Sequence, residues 1–177
     1  PTAVQTAAWP AIARGEHVLR TAPTGSGKTL AATLMALQAL LLRRWPPGEL
    51  SVVYISPLKA LSADVQRNLT APLAELQPYL RERGLDPPAV HVALRTGDTA
   101  QRDRASMLRH PPELLVTTPE SLHILLVSAS GRRLLQNVRL CILDEIHAVA
   151  GNLRGTLLMT AVEELTGQVK SMSLPAD

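Results

Sequence analysis

Between a short apolar stretch (Val18, Leu19) and a helical apolar run from Leu30 to Leu42 stands Ala22-Pro23-Thr24-Gly25-Ser26-Gly27-Lys28-Thr29. A strand, a glycine-rich loop and a helix in that order commit the chain to an α/β unit. Glycines let successive backbone N–H groups curl around phosphate oxygens. A lysine placed next reaches the β and γ phosphates, and a following hydroxyl ligates Mg²⁺. The expectation is that Thr24, Gly25, Ser26, Gly27, Lys28 and Thr29 bind the phosphates of a nucleoside triphosphate, with Thr29 also on the metal. Alanine holds position 22, where the strict pattern wants glycine, so the match is one residue short. A plain Gly/Ser surface turn does not explain the flanking strand and helix.

Cation usage supports the same site. Of 18 basic residues only Lys28, Lys59 and Lys170 are lysine. A chain that otherwise writes arginine has a compact point charge in the loop, where a planar fork would not fit. Hydrophobic residues make up 46% of the 177 positions, enough for one globular core, and net charge is only +3. No apolar run is long enough to span a membrane, and no secretory signal pattern opens the chain. The lone Cys141 excludes a disulfide framework, fits a reducing cytoplasm and reads as a buried core residue.

Short apolar runs alternate with helical patterns, which signals a mainly parallel sheet covered by helices on both faces. Strands are expected at about 17–21, 51–56, 90–95, 113–117 and 138–143. Helices are expected at about 3–13, 28–43, 58–82, 99–108, 119–127 and 154–166. With no repeat or linker, residues 1–177 read as a single domain. Ser56-Pro57 and Thr118-Pro119 each pair a hydroxyl cap with proline at the first helical position. Asp98 with Gln101 resembles a third cap. Three helix N-termini on the sheet's carboxyl edge suit a polyanion.

Leu140-Cys141-Ile142-Leu143-Asp144-Glu145 reads as a buried strand delivering two carboxylates. Asp144 is placed to hold Mg²⁺. Glu145 is placed to orient and deprotonate the water that attacks the γ-phosphate. A glutamate directly after the metal-binding aspartate points to hydrolysis, since a small-molecule kinase would not need it.

The phosphate loop followed by Asp144-Glu145-Ile146-His147 resembles motifs I and II of the DEAD/DEAH-like helicases of superfamily 2. Pro57-Leu58-Lys59-Ala60-Leu61 resembles motif Ia, Arg95-Thr96-Gly97-Asp98-Thr99 motif Ib, and Thr117-Thr118-Pro119-Glu120-Ser121-Leu122 the TTPESL motif. Gln5, with Trp9 behind it, resembles the adenine-reading Q motif. The joint set is most similar to the large helicase-related (Lhr) group. The resemblance implies a three-layer α/β/α, RecA-like P-loop NTPase domain, the first motor domain of an ATP-dependent helicase or translocase. It implies that Gln5 reads adenine and that Lys28 and Glu145 serve catalysis. Pro57, Leu58, Lys59, Thr96, Gly97 and Thr118 would touch the backbone of one nucleic-acid strand, single-stranded DNA or a 3′ overhang. His147 would couple the nucleotide site to a neighbouring domain.

Two departures temper it. The family's motif III ends a strand in Ser-Ala-Thr, whereas a strand expected over Lys170–Leu174, in mid-sheet, runs into Pro175-Ala176-Asp177. No second RecA-like domain with its arginine finger is present, so the isolated chain should bind ATP·Mg²⁺ yet scarcely hydrolyse it. Two other readings are a truncated, non-catalytic nucleic-acid-binding module and a P-loop ATPase coupled to proteins.

Overall fold

The computed structural model describes residues 2–19 and 28–172. Among them the chain runs α1 (Ala3–Ala13), α2 (Lys28–Leu41), β1 (Val52–Ile55), α3 (Lys59–Glu82), β2 (Val92–Arg95), α4 (Gln101–Arg109), β3 (Leu114–Thr117), α5 (Pro119–Val127), α6 (Ala129–Leu135), β4 (Leu140–Leu143) and α7 (Leu153–Met172). A 3₁₀ turn, Ile146–Ala148, lies between β4 and α7.

The described strands form one sheet in the order β2-β3-β1-β4, and every pairing is parallel. β1 shows why. Its four residues are all apolar or aromatic and all 0% exposed, the signature of a strand covered on both faces. Side chains alternate across it. Val52 and Tyr54 pack with Ala36 and Leu40 of α2 and with Val65 and Leu69 of α3. Val53 and Ile55 pack with Leu125 of α5, Leu135 of α6 and Leu158 of α7. Each such side chain contributes about 1.5–3 kcal/mol on burial, so the three-layer α/β/α arrangement follows from this period-two division.

The long α3 continues through Pro72 and Pro78, residues that oppose a helix interior. Val65, Leu69 and Leu73, spaced by four, are all buried, and that stripe outweighs the prolines. α1 rests on α2, where the Trp9 indole N–H donates to the Ala31 carbonyl at 3.0 Å.

Three expectations need correction. Residues 17–19 are not strand, and the rest of the expected 17–21 strand lies outside the described residues. The short α6 has no expected counterpart, because Gly131, Arg132 and Arg133 blur its pattern. Ser128 caps it by accepting from the Gly131 N–H at 3.1 Å. A Cβ at Gly131 would stand 2.2 Å from the Leu125 carbonyl oxygen, so glycine is required there. Lys170, Ser171 and Met172 are helical, the last residues of α7, not the start of a mid-sheet strand. Nothing between Gly167 and Pro175 stops a helix, and α7 carries on past 166. Residues 173–177, with Pro175-Ala176-Asp177, lie outside the described residues.

Candidate functional site

Register brings the motif segments to one level. Ile55 stands opposite both Thr117 and Leu143, and Arg95 opposite Thr117. The next residue on each strand, Thr96, Thr118, Ser56 and Asp144, therefore leaves the sheet in one row at its carboxyl edge. Steps along that row are about 4.8 Å. Ligands bind α/β sheets at this edge.

Asp144 ends the row at β4. Its N–H donates to the Ile55 carbonyl at 3.0 Å, which prolongs the ladder by one residue. One carboxylate oxygen accepts from the Tyr54 hydroxyl, and the other accepts from the Glu145 N–H at 3.0 Å. Glu145 has φ 51° and ψ 34°, a left-handed conformation that costs a side-chain-bearing residue about 1–2 kcal/mol. Strain of this kind gathers at functional sites. Its half-buried carboxylate lies 3.2 Å from Nε2 of the exposed His147. Lys28 and Thr29 are the first two residues of α2, so that helix opens at the expected loop. Thr24, Gly25, Ser26 and Gly27, and the Lys28 and Thr29 side chains, lie outside the described residues.

Gln5 is 6% exposed and belongs to a capping box at the start of α1. Its side-chain oxygen accepts from the Thr2 N–H at 2.9 Å, and its own N–H donates to the Thr2 hydroxyl at 3.4 Å. Cys141 packs against the core. Burial pushes its thiol up to about 12, so it stays an unreactive core residue.

The other three exits from the sheet are tied down by local hydrogen bonds. Thr118 caps α5 as expected. Its hydroxyl accepts from the Ser121 N–H at 3.4 Å, Pro119 is the first helical residue, and the side chain is buried. At β2, the Thr96 N–H donates to the Thr99 hydroxyl at 2.9 Å, and the Asp98 N–H donates to the Thr96 hydroxyl at 3.3 Å. Arg104 donates to the carbonyls of Thr96, at 3.3 Å, and Gly97, at 2.7 Å. Burial, and then the nearby charge of Arg104, holds the Arg95 guanidinium below its usual pKa.

Two expected caps are not formed. The Ser56 N–H still donates to the Thr117 carbonyl at 3.0 Å, so Ser56 belongs to the strand. Pro57 holds the preceding residue extended, and α3 begins only at Lys59, behind Leu58, with no side-chain cap. α4 begins at Gln101 behind Ala100, likewise without a side-chain cap, which leaves Asp98 inside the β2–α4 turn. Leu58 is exposed and Pro57 buried. The Lys59 side chain lies outside the described residues.

The structure adds three residues to those the sequence singled out. Tyr54 anchors Asp144. The Arg154 Nε donates to Glu120 at 2.5 Å, and its Nη2 donates to the Pro57 carbonyl at 2.7 Å. The signal for Tyr54 was present, a lone aromatic in an aliphatic strand two residues short of the edge. Glu120 stood inside the TTPESL resemblance without a role of its own, and Arg154 gave no signal, being one more charge on a helix start 34 positions away.

Comparison with known proteins gives the family. The DEAD/DEAH box helicase family model matches residues 2–176. The chain is 47% identical over 172 residues to the Lhr helicase/uracil glycosylase of Escherichia coli, covering 93% of this chain and 11% of that protein. It is 46% identical over 158 residues to the ATP-dependent helicase Lhr-Core protein 2 of Thermococcus barophilus, covering 87% of this chain and 18% of that one. The fold superposes on the solved structure of Mycobacterium smegmatis helicase Lhr bound to ssDNA and AMP-PNP with a TM-score of 0.88 at 46% identity, over 95% of this chain and 21% of that chain. The chain thus spans between about a tenth and a fifth of these relatives. Motif row, parallel sheet and family model converge, and the chain belongs to the DEAD/DEAH box helicase family.

Proposed function

We propose that residues 1–177 form a single domain that serves as the first motor domain of an ATP-dependent DNA helicase or translocase in the cytoplasm. It would grip ATP at one end of the carboxyl edge and one nucleic-acid strand along the rest. The observation that carries the reading is the registered row itself. The metal-binding candidate Asp144 leaves β4 level with the exits toward Pro57, Thr96 and Thr118 on the three neighbouring strands.

A triphosphate and a divalent cation fit the residues present. Asp144 is a carboxylate at a strand end, with its orientation set by Tyr54 and by the Glu145 N–H. Asp144 and Thr29 would hold Mg²⁺, which when bound neutralises charge on the phosphate oxygens. Gln5 would face the adenine, with Gly25–Thr29 and the opening of α2 around the phosphates. Glu145 is the base that aligns and deprotonates the attacking water. His147, 3.2 Å from that carboxylate, is the group through which a neighbouring domain would sense the site.

Nucleic acid would meet backbone groups of Pro57, Leu58, Thr96 and Gly97, and the Lys59 side chain. The buried Thr118 would act through the helix start that it caps. Such contacts read phosphate and not sequence. Single-stranded DNA or a 3′ overhang would be the strand held, since contacts of this kind need no complementary strand. The second RecA-like domain would bring the arginine finger, a group worth roughly 10³–10⁵ in rate.

Calorimetry on Lys28→Ala tests the nucleotide half, and unchanged ATP affinity would overturn the site. Fluorescence anisotropy with a labelled oligothymidylate tests the other half. Affinity should fall steeply with salt, and salt-independent binding, or none, would favour a protein-coupled ATPase. Turnover by the isolated chain should stay near the detection limit. A rate of about one per second or faster, lost in Glu145→Gln, would show that no second domain is needed.

A further inference from the structure

Arg154 sits at the second position of α7, nine residues past Glu145, where a tight connection delivers it. The Asn152 side chain accepts from the Arg154 N–H at 2.9 Å and the Gly155 N–H at 3.3 Å. A Cβ at Gly155 would stand 2.2 Å from the Val149 carbonyl oxygen, so the start of α7 packs directly on the chain leaving the 3₁₀ turn. From this fixed base the guanidinium reaches two other segments. Nε meets Glu120 in the first turn of α5 at 2.5 Å, and Nη2 meets the Pro57 carbonyl ahead of α3 at 2.7 Å. On Glu120, burial favours the neutral form, but hydrogen bonds from Arg154, its own backbone N–H and Thr118 outweigh it and hold the carboxyl below its usual pKa.

We propose that Arg154 is a positioning residue that ties the turn carrying Glu145 to the two adjacent nucleic-acid-facing segments, at Pro57 and at Thr118-Glu120. This rests on the reading above. The peptide joining Pro57 to Leu58 is planar, and in a trans peptide the carbonyl and the next N–H point to opposite sides. Holding the Pro57 oxygen therefore aims the Leu58 N–H away from Arg154, at an exposed turn where a phosphate is expected. Holding Glu120 fixes the first turn of α5 and with it the Thr118 cap. A planar fork meets both acceptors in one fixed geometry, which the rotatable point charge of a lysine does not reproduce.

The test uses the full-length protein, an oligothymidylate followed by anisotropy over a salt series, and AMP-PNP affinity by calorimetry. Arg154→Ala should weaken oligothymidylate binding by about tenfold, the loss of one good charge-assisted contact. The salt slope and AMP-PNP affinity should not change. Arg154→Lys should recover part of the loss. Glu120→Gln should give a smaller loss and, combined with Arg154→Ala, add less than its separate effect. Unchanged oligothymidylate affinity in Arg154→Ala would overturn the proposal. So would a slope reduced by about 0.7, which marks a direct phosphate contact. A parallel fall in AMP-PNP affinity in both single variants would reassign the pair to general stability. Wild-type protein that binds no oligothymidylate at all would instead defeat the nucleic-acid reading beneath it.

Discussion

At the β4 end of the carboxyl edge two acidic side chains stand side by side, one steered by a buried tyrosine and the other on a left-handed backbone. At the exits from β1, β3 and β2 the chain satisfies itself. Thr118 caps its own helix, Thr96 and Thr99 close their own turn, and arginines bond the carbonyls of Pro57, Thr96 and Gly97. The same row of one sheet thus carries two designs. On the proposed reading the two carboxylates would serve a cation and a water, and the strain at Glu145 would be kept because the chemistry needs its charge. A backbone held by its own side chains presents a fixed surface to a polyanion and needs no base recognition. The first design depends on particular atoms, the second on shared geometry, and substitutions should separate them.

The largest expected effect falls on the strained side. Glu145→Gln keeps size and shape but removes the base. Nucleic-acid-stimulated ATP turnover in the full-length protein should drop by roughly 10²–10⁴. ATP and oligothymidylate affinities should stay within about twofold, well under the 1.4 kcal/mol of a tenfold change. Steady-state kinetics beside calorimetry would check this. Residual turnover within tenfold of wild type would place the base elsewhere and erase the contrast.

Tyr54→Phe comes next. It deletes one hydroxyl from a fully buried side chain and takes from one Asp144 oxygen the donor it has there, a change worth about 1.5–3 kcal/mol. Thermal unfolding should show that loss, and the Mg²⁺ concentration needed for half-maximal ATP binding should rise because Asp144 is freer to rotate. A variant as stable as wild type, with unchanged Mg²⁺ dependence, would mean that Asp144 is positioned by β4 alone.

What the sequence made legible tracks how local the cause is. Strands β1 and β3, α1, α5 and the α2 start follow from apolar runs, caps and a glycine loop, each readable within a few residues. Thr118-Pro119 formed the expected cap because the accepting hydroxyl, the proline and the donating Ser121 N–H lie in one turn. Ser56-Pro57 pairs a hydroxyl with proline in the same way and did not, because Ser56 stays on the ladder, its N–H bonded to Thr117, 61 positions away, and α3 starts only at Lys59. Sheet register decided the matter, and register is invisible to a local pattern. The strand expected over Lys170–Leu174 failed at its described residues, 170–172, for a related reason. A family expectation was imposed on residues whose own pattern continues a helix. Within the site, Asp144 and Glu145 were legible as adjacent letters after an apolar run. The ties from Tyr54 to Asp144 and from Arg154 to Glu120 and Pro57 join segments that only the fold brings together.

On the self-satisfied side the effects should be smaller and mainly structural. Thr118→Ala removes the α5 cap and should cost about 1 kcal/mol, seen in chemical denaturation. Thr118→Ser keeps the cap and should recover most of it. Oligothymidylate binding should follow the same order if Thr118 acts by fixing its helix start. Full binding in Thr118→Ala would show that the α5 start lies off the path of the strand.

The smallest effect concerns Glu120, and its sign is fixed by the direction of its shift. Its folded pKa lies below the ordinary value of 4.5, so the folded state holds the ionised form more tightly than the unfolded chain does. The contribution is fully present above the unfolded value and disappears as pH falls through the folded one. Both partners have side chains 44% exposed, and solvent screening keeps the contribution under about 1 kcal/mol. Glu120→Gln should therefore be slightly less stable than wild type at pH 7. The gap should shrink below pH 4.5 and close once Glu120 is protonated in both states. High salt at neutral pH should narrow it as well, because the pair is half in water. Unfolding curves of the two proteins from pH 7 to pH 3 would show it. A gap that is constant with pH would mean that Glu120 holds α5 by shape and hydrogen bonding alone. Its charge would then be idle, and the tie from Arg154 would rest on the Pro57 carbonyl.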